Sequence, residues 1–249
     1  MIPIIIPSYE PDERLIKLLD DFKAARLNDI ILVDDGSGEE YQHLFDKARD
    51  EYGCIVLKHA VNQGKGRALK TAFNYCLNEY PEMIGCITAD SDGQHSVDCI
   101  KRCMDALKKN PDALILGVRD FSLDNVPWKS RFGNTLTSFI CKYLEGVSVS
   151  DTQTGLRGIS TEFMKTCLNV EGERFEFETR MLIATKGNCD IIEVPIETIY
   201  DSKENHQSHF NPVRDSIRVY KVFQKSFTKV IVACIGLKVV IDFFRKGRD

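Results

Sequence analysis

The sequence lacks the features that define several common protein classes. No stretch reaches about 18 uninterrupted apolar residues, so no membrane-spanning helix is predicted. Thirty-three lysine and arginine residues face 37 aspartate and glutamate residues, and this balance gives no reason to expect nucleic acid as a partner. The opening residues Met1-Ile2-Pro3-Ile4 lack a charged region ahead of an apolar one, so we expect no secretory signal peptide.

Cysteine occurs in a pattern that excludes two of its frequent uses. The nine cysteines are odd in number and include no C-x-x-C pair. Cys99 and Cys103 are one helical turn apart, but no neighbouring pair completes a zinc site. We therefore expect reduced thiols that pack as small apolar side chains. Such thiols indicate a reducing compartment, and we predict a cytoplasmic protein.

Two glycine-rich phosphate-binding motifs are also missing. The first predicted strand runs into Pro7-Ser8-Tyr9, where a dinucleotide-binding protein has G-x-G-x-x-G. The stretch 62–66, Asn-Gln-Gly-Lys-Gly, does not have the spacing of a P-loop. The chain is therefore neither a typical dinucleotide-binding domain nor a P-loop protein.

What the sequence contains is a regular alternation of strands and helices over 249 residues. Helical spacing predicts helices between short β-branched runs, and those runs predict strands at 4–6, 30–33, 55–57 and 84–87. Asp12 is expected to cap the first helix. In the second half we predict a helix at 97–109, a strand at 113–118, a helical stretch to about 144, a polar turn at 151–158 and a helix opened by 174–178. We also predict a strand at 191–196, where Pro195 indicates an edge or a bulge. This order predicts an α/β fold with a mostly parallel sheet covered by helices.

Two carboxylates one residue apart, Asp90 and Asp92, follow the fourth predicted strand. Ligands of open α/β sheets bind at the carboxyl ends of the strands, and alternate residues of extended backbone point to the same side. Paired carboxylates, with the amide oxygen of Gln94 close by, suit Mg²⁺ or Mn²⁺ shared with substrate phosphates. The alternative is an acidic surface turn that binds nothing.

The polar loops at the predicted strand ends form an ordered series of motifs. In chain order they read IPSYEPDERL, LVDDGS, NQGKGRAL, TADSDGQH, GVR, RFGN, DTQTGLRG, FEFET and EVPIET. On this series, residues 2 to about 220 resemble the family 2 glycosyltransferases, which have a GT-A fold. The likeness is greatest to dolichol-phosphate mannose synthases and bacterial polyprenyl-phosphate glycosyltransferases. It implies an inverting, metal-dependent transfer from a UDP- or GDP-sugar.

The resemblance assigns roles to residues up to and including the paired carboxylates. It implies that the nucleotide sugar is bound by Pro7, Tyr9, Val33, Asp35, Lys65, Ala89, Asp90, Ser91 and Asp92. Within this set Pro7 and Tyr9 would frame the base, Asp35 would accept hydrogen bonds from it, and Lys65 would neutralise the diphosphate. It implies that the metal ligands are Asp90, Asp92 and Gln94. The alternative for Asp34 or Asp35 is capping of a helix, and for Lys65 an ordinary exposed lysine.

The motifs after the paired carboxylates are implied to meet the acceptor. Positions that bind phosphate or acceptor in the family match Arg119, Arg131, Arg157 and His209. The planar guanidinium fork binds phosphate through two hydrogen bonds, so arginine suits this role. The alternative for Arg119 or Arg131 is a surface salt bridge. The alternative for Arg157 is a structural role, in which it pairs with an acid beneath the site. His209 replaces a lysine of the family pattern, and Glu176 replaces a glutamine.

The chemical nature of the acceptor decides which residues take part in chemistry. An undecaprenyl or dolichyl phosphate is already an anion, so positioning and charge neutralisation suffice. A hydroxyl of a glycan needs a carboxylate base, for which Asp151 and Glu178 are the candidates. Asp90 and Asp92 are implied to be catalytic through the metal ion. The arginines favour the phosphate. A third hypothesis is a non-catalytic nucleotide-sugar-binding module, which the intact set of metal ligands argues against.

The C-terminal part of the sequence points to a membrane surface. We predict a catalytic domain at 1–212 and a helical segment at 213–249. Basic residues recur in this segment at helical spacing, at Arg214, Arg218, Lys221, Lys225 and Lys229. A basic amphipathic helix is typical of membrane-surface binding, so we expect the protein at the cytoplasmic face of a membrane. The alternative is a helix that packs on the domain and exposes an ordinary charged face. The sequence identifies neither the sugar nor the oligomeric state.

Overall fold

The computed structural model describes residues 1–120, 128–197, 214–224 and 226–228, with the backbone alone for 128–132. The strands are β1 (Ile4–Ser8), β2 (Ile30–Asp34), β3 (Ile55–Lys58), β4 (Gly85–Thr88), β5 (Leu114–Arg119), β6 (Arg157–Ser160) and β7 (Ile191–Ile196). The helices are α1 (Glu13–Ala24), α2 (Gln42–Tyr52), α3 (Lys65–Glu79), α4 (Val97–Lys109), α5 (Trp128–Ile140), α6 (Thr161–Leu168), α7 (Glu176–Ala184) and α8 (Arg214–Val222). A 3-10 turn, Glu39–Tyr41, precedes α2, and a π-helical turn, Cys141–Glu145, continues α5.

The described strands form one sheet in the order β3-β2-β1-β4-β6-β5-β7. Strand β6 is antiparallel to both β4 and β5, and every other pairing is parallel. Six strands therefore end at the same edge of the sheet, and β6 begins there. The loops at this edge lie where an open α/β sheet binds its ligands.

Helices cover both faces of the sheet, and the alternation of side chains in β1 shows how. Ile4 and Ile6 belong to a cluster with residues of α1, α2 and α4, whereas Ile5 belongs to a second cluster with residues of α3, α6 and α7. All three isoleucines are buried. A central parallel strand buried on both faces needs such a continuous apolar run.

The predicted α/β class and most of the predicted elements are confirmed. Asp12 is the N-cap of α1 and accepts a hydrogen bond from the backbone N–H of Arg14. Strand β7 lies at an edge of the sheet, where Pro195 is tolerated.

The predicted polar turn at 151–158 is wrong in its last two residues, which begin β6. Helix α6, which the pattern did not predict, follows this strand directly. The four residues Arg-Gly-Ile-Ser of β6 carry no period-two pattern. They form a strand because β4 and β5 flank them on both sides.

Helix α8 packs against α7, and the residues that follow α8 contact the π-helical turn. Phe223, which follows α8, forms a small buried cluster with Ile140 and Cys141, and the Ser226 hydroxyl donates to the carboxylate of Glu145 at 2.6 Å. No helix among the described residues is long and apolar enough to cross a membrane. Lys225, Lys229 and the rest of 229–249 lie outside the described residues, so the predicted boundary after residue 212 stays a prediction.

Eight of the nine cysteines fall in the described part of the chain. All eight are free thiols, and seven are buried. Burial raises the pKa of Cys76 and Cys103 to about 12, so these thiols stay neutral in the core. They pack as small apolar side chains, the use that their spacing indicated.

Candidate active site

The loops after β1 and β2 are joined by short hydrogen bonds. The backbone N–H of Glu10 donates to the Ser37 hydroxyl at 2.8 Å, and the backbone N–H of Ser37 donates to the Asp34 carboxylate at 2.8 Å. Asp34 therefore closes its own turn. The helix capping named as the alternative for Asp34 or Asp35 is wrong, because the N-cap of the 3-10 turn that follows is Gly38. Tyr9 lies half-buried beside Glu10, whose hydrogen bond, together with burial, raises the pKa of Tyr9 to about 12.

Asp35 joins the loop after β2 to the loop after β3. Its Oδ1 accepts hydrogen bonds from the backbone N–H of Gln63 at 2.9 Å and from Nδ1 of His59 at 2.7 Å, and its Oδ2 accepts from the N–H of Gly64 at 2.7 Å. His59 Nε2 lies 2.9 Å from the Thr71 hydroxyl, so the imidazole is held at both ends. A carboxylate has about four acceptor positions, which leaves Asp35 one for a ligand. The loop that precedes α3 is thereby fixed.

Lys65, the first residue of α3, lies between two carboxylates. Its Nζ is 2.7 Å from Oδ1 of Asp90 and 2.9 Å from Oε1 of Glu178. Burial opposes the charge of Lys65, but its attraction to the two carboxylates outweighs burial and raises its pKa. The ammonium group therefore links the strand end at β4 to the first turn of α7.

Asp90 and Asp92 form one electrostatic unit with their neighbours. Burial opposes ionisation of Asp90, but Lys65 and His95 together hold its pKa well below the usual range. Burial and repulsion from Asp90 raise the pKa of Asp92, whose Oδ1 accepts a hydrogen bond from the backbone N–H of Gln94 at 3.1 Å. His95 is buried, with Nε2 3.8 Å from Oδ2 of Asp90.

The turn before β6 packs directly on Asp90. A Cβ atom at Gly155 would lie 2.2 Å from Oδ2 of Asp90. The Thr88 hydroxyl donates to the carbonyl of Gly155 at 2.8 Å and fixes this approach. Glycine is needed here because there is no room for a side chain. The turn predicted to face the acceptor therefore contacts a carboxylate predicted to bind metal.

Arg119 and Asp151, both predicted acceptor-side residues, bind each other. Arg119 Nε donates to Oδ2 of Asp151 at 2.7 Å, and Arg119 Nη2 donates to Oδ1 at 3.0 Å. The backbone N–H of Arg119 also donates to Oδ2 at 3.3 Å, and the backbone N–H of Gln153 donates to Oδ1 at 3.0 Å. Asp151 is fully buried. The ion pair named as the alternative for Arg119 is thus present, although it lies below the surface.

Arg157 is buried beneath the same turn. Its Nε donates to the carbonyl of Thr154 at 3.0 Å, and its Nη1 donates to the carbonyl of Glu178 at 2.8 Å. Only 1% of Arg157 is exposed, so it supports the site from below instead of lining it. The predicted contact of Arg157 with acceptor phosphate therefore does not fit its buried position, and the structural alternative does. The hydrogen bonds of Arg157 given above run to backbone carbonyls, not to a buried acid.

The remaining predicted residues divide into three groups. Pro7, Ser91 and Gln94 are half-buried around the site. Val33 and Ala89 are buried in the hydrophobic core, so their side chains do not reach the surface of the site. The side chain of Arg131 and the whole of His209 lie outside the described residues.

Two residues that hold the site together received no role from the sequence. His59 orients Asp35, as described above. Asn134 of α5 is buried; its Oδ1 accepts from the backbone N–H of Thr152 at 2.9 Å, and its Nδ2 donates to the carbonyl of Ser150 at 2.7 Å. The available signal for Asn134 was its place in the motif RFGN, and for His59 its place just ahead of NQGKG.

Asp90 and Asp92 have the chemistry expected of ligands to the predicted divalent cation. The described residues contain no cluster of three or more His, Cys, Asp or Glu side chains suited to a metal ion. Asp90 and Asp92 nevertheless fit a hard cation, because repulsion from Asp90 contributes to the raised pKa of Asp92 and a cation would relieve it. Mg²⁺ is commonly held by one or two carboxylates and substrate phosphates together.

The sheet order and the edge site define a GT-A fold, as comparison with solved structures shows. The chain superposes on mannosyl-3-phosphoglycerate synthase from Rubrobacter xylanophilus with a TM-score of 0.65 at 14% sequence identity, covering 94% of this chain and 74% of that one. This likeness concerns the fold alone.

The chain belongs to glycosyl transferase family 2, whose family model matches residues 4–168. It is therefore a glycosyltransferase. An uncharacterized protein of Methanocaldococcus jannaschii is 31% identical over 202 residues, covering 79% of this chain and 81% of that protein. A UDP-N-acetylglucosamine–dolichyl-phosphate N-acetylglucosaminyltransferase of Methanococcus voltae is 28% identical, covering 80% and 86%. A polyprenol monophosphomannose synthase of Mycolicibacterium smegmatis is 25% identical, covering 78% and 75%.

Proposed function

We propose that this protein transfers a sugar from a nucleoside diphosphate sugar to a polyprenyl phosphate, with inversion at the anomeric carbon. One observation carries the choice of acceptor: both candidate bases are already bound by cations, Asp151 by Arg119 and Glu178 by Lys65. In each pair a carboxylate oxygen that a base would use is already occupied by the cation. An acceptor that is already an anion needs no base, and two of the relatives are named for dolichyl or polyprenol phosphate chemistry.

The donor side of the proposal uses the loops after β1, β2 and β3. In this proposal Tyr9 and the remaining acceptor position of Asp35 hold the base, and Ser91 contributes to the same nucleotide-sugar site. Lys65 stands at the first turn of α3, where helix N–H groups and the lysine charge both favour a diphosphate. Asp35 holds this turn in place through Gln63 and Gly64.

Asp90 and Asp92 would hold Mg²⁺ or Mn²⁺, with Gln94 as the proposed third ligand. The bound ion supplies Lewis-acid neutralisation of the departing diphosphate. On the protein side, Gly155 keeps the turn against Asp90, and Lys65 balances its charge.

The acceptor phosphate is assigned to the arginine side of the edge. Arg119 already donates to Asp151, so in this proposal it shares its guanidinium between that aspartate and the phosphate. Arg131 is proposed as the second phosphate ligand, and His209 as a further residue that binds phosphate or acceptor. The membrane surface is the proposed source of the lipid.

A hydroxyl of a glycan is the second candidate acceptor, and the position of Glu178 favours it. Glu178 and Asp90 bind the same ammonium group, so Glu178 lies close enough to the metal-binding pair to act as a base. The variant Glu178→Gln separates the two candidates because glutamine still accepts a hydrogen bond from Lys65. If no base is needed, activity stays within about tenfold; loss of a general base costs about 10²–10⁴-fold.

The proposal is tested by incubating the protein with labelled UDP- and GDP-sugars, Mg²⁺ or Mn²⁺, and undecaprenyl phosphate. Label from one donor should enter the organic phase, and a chelator should stop the transfer. Label that reaches only water or soluble sugars would reject the lipid acceptor. Transfer that persists in chelator would reject the metal.

A further inference from the structure

The ammonium group of Lys65 already holds one of the two carboxylate oxygens that Asp90 could offer to a metal ion. Its Nζ lies 2.7 Å from Oδ1 of Asp90 and 2.9 Å from Oε1 of Glu178. The other oxygen of Asp90, Oδ2, lies against Gly155 and 3.8 Å from Nε2 of the buried His95. The side chain of Asp90 is 32% exposed, so ions can reach it from the solvent. A cation that approaches Asp90 therefore meets Lys65 at Oδ1.

An ammonium group and a divalent cation on the same carboxylate repel each other. The repulsion is strong here because the lysine side chain is only 15% exposed, and a partly buried site screens charges less than water does. Lys65 must therefore withdraw from Oδ1 before Asp90 and Asp92 together hold a divalent cation. The lysine stem is flexible and its ammonium group is a compact point charge, so this withdrawal needs no movement of the backbone.

Glu178 gives the ammonium group a second partner, which stands on a fixed part of the fold. The Glu178 side chain is 10% exposed, and its backbone carbonyl accepts a hydrogen bond from Nη1 of Arg157 at 2.8 Å. The start of α3 is bound to the turn before α7, because the backbone N–H of Arg67 donates to the carbonyl of Glu173 at 3.0 Å. Lys65 and Glu178 therefore stand on two elements that are joined to each other, and their ion pair can persist when Lys65 leaves Asp90.

We propose that Lys65 competes with the divalent cation for Asp90, and that Glu178 is the positioning residue that keeps the ammonium group on the donor diphosphate once Lys65 leaves Asp90. The inference deepens the proposed function and rests on it for the cation and the donor. A diphosphate attracts Lys65 and thereby frees Asp90, so each of the two ligands strengthens the binding of the other. The nucleotide sugar therefore binds before the cation or together with it.

The competition is tested by two calorimetric titrations of the full-length protein, one with Mn²⁺ in the absence of nucleotide and one with UDP and GDP in chelator. Lys65→Met should tighten the binding of Mn²⁺ by about tenfold or more and weaken the binding of nucleotide by a similar factor. The two effects have opposite signs, whereas a loss of folded protein would weaken both. Lys65→Arg keeps the positive charge, so it should bind Mn²⁺ as weakly as the wild type.

Lys70→Met is the matched control, because it removes the same charge from another buried lysine of α3. Lys70 is 7% exposed, and its Nζ donates to the carbonyl of Gly172 at 3.0 Å and to Oε1 of Glu173 at 3.2 Å. This variant should change neither titration. An equal gain in Mn²⁺ affinity would show that any lost positive charge has the effect, and it would overturn the proposal.

The positioning role of Glu178 is tested in the nucleotide titration. Glu178→Met removes the partner of Lys65 and should weaken the binding of nucleotide, although the loss of a negative charge alone would strengthen it. Glu178→Gln keeps an acceptor for Lys65 and should restore most of the affinity. In the Lys65→Met background the Glu178→Met substitution should no longer weaken binding, because Glu178 acts through Lys65.

Two results would overturn the proposal: Mn²⁺ binding by Lys65→Met that is no tighter than that of the wild type, and nucleotide binding that Glu178→Met leaves unchanged or strengthens. These failures differ from failure of the proposed function. If the wild type binds both nucleotide and Mn²⁺ but Lys65→Met gains no Mn²⁺ affinity, the competition is wrong and the proposed function stands. If Lys65→Met gains Mn²⁺ affinity while no form of the protein binds UDP or GDP, the competition is supported and the proposed donor is wrong.

Discussion

At the scale of single residues, the site depends on charges that the protein balances internally. Lys65 pairs with Asp90 and Glu178, and Arg119 pairs with Asp151. Asp35 accepts a hydrogen bond from His59. The negative charge of Asp92 is energetically unfavourable, since both burial and repulsion from Asp90 raise its pKa. An unfavourable negative charge of this kind suits the binding of a cation. We therefore expect Asp92 to lower the stability of the protein without metal while it serves metal binding.

We predict that Asp92→Asn stabilises the protein in chelator while it abolishes metal-dependent transfer. Asparagine keeps the acceptor for the Gln94 N–H and removes the repulsion, a gain of about 0.5–1 kcal/mol at pH 7. Because the pKa of Asp92 is raised in the folded state, its charge lowers the free energy of unfolding of the wild type above that pKa. Below the pKa of the unfolded state, near about 4, this loss is absent. The gain should therefore vanish as the pH falls towards about 4, as urea unfolding at both pH values would measure.

The control for this prediction is Asp112→Asn, an exposed carboxylate between α4 and β5. It should leave stability and transfer unchanged. Lower stability of Asp92→Asn at pH 7, or a gain that grows on acidification, would contradict the sign of the effect.

We predict that Gly155→Ala displaces Asp90. The added Cβ would meet Oδ2 of Asp90 at 2.2 Å, so the turn or the carboxylate must shift. We expect a cost of about 1–3 kcal/mol in unfolding free energy and a loss of roughly 100-fold in transfer rate, since small displacements at a reacting centre are costly. Steady-state kinetics on folded protein measures the second effect.

Gly53→Ala is the matched control for that substitution. Gly53 has a φ of +68° and nothing within 4 Å of an added Cβ, so alanine there costs roughly 1–2 kcal/mol through the backbone alone. It should destabilise the protein without changing the rate per folded molecule. If both variants lose activity equally, the contact with Asp90 is not the cause.

At the scale of elements, α5 is tied to the acceptor turn by the buried amide of Asn134. We predict that Asn134→Ala costs about 1–3 kcal/mol, because it leaves the Thr152 N–H and the Ser150 carbonyl without this partner. Transfer should also fall, since the turn carries Asp151.

The control is Asn188→Ala, which removes an exposed hydrogen bond to the carbonyl of Ala184. It should change neither the free energy of unfolding nor the rate of transfer. Equal small costs in both variants, measured by urea unfolding, would show that Asn134 does not anchor the turn.

Elements with a local signal could be predicted from the sequence, and elements without one could not. The β-branched run of β1 and the cap of Asp12 specify their structures by themselves. Strand β6 depends on β4 and β5, which lie about 40 to 70 residues away in sequence. Its buried Arg157 has the chemistry of a phosphate ligand, and nothing in the spacing of DTQTGLRG shows that this guanidinium faces the interior.

At the scale of the whole molecule, the motif order predicted the fold and the clustering of the site. It could not predict how the charges pair, because ion pairs such as that of Arg119 with Asp151 join residues far apart in sequence. That pairing is also what favours a phosphate over a hydroxyl as acceptor. The central claim is therefore about the chemistry of the acceptor.

The most direct measurement compares two acceptors that differ in one group: a prenyl phosphate and the prenol of the same chain length. With the donor and divalent cation fixed, we predict transfer to the phosphate and none to the alcohol, because both candidate bases, Asp151 and Glu178, are already bound by cations. Transfer to the prenol at a comparable rate, or no transfer to the phosphate with any nucleotide sugar, would contradict it.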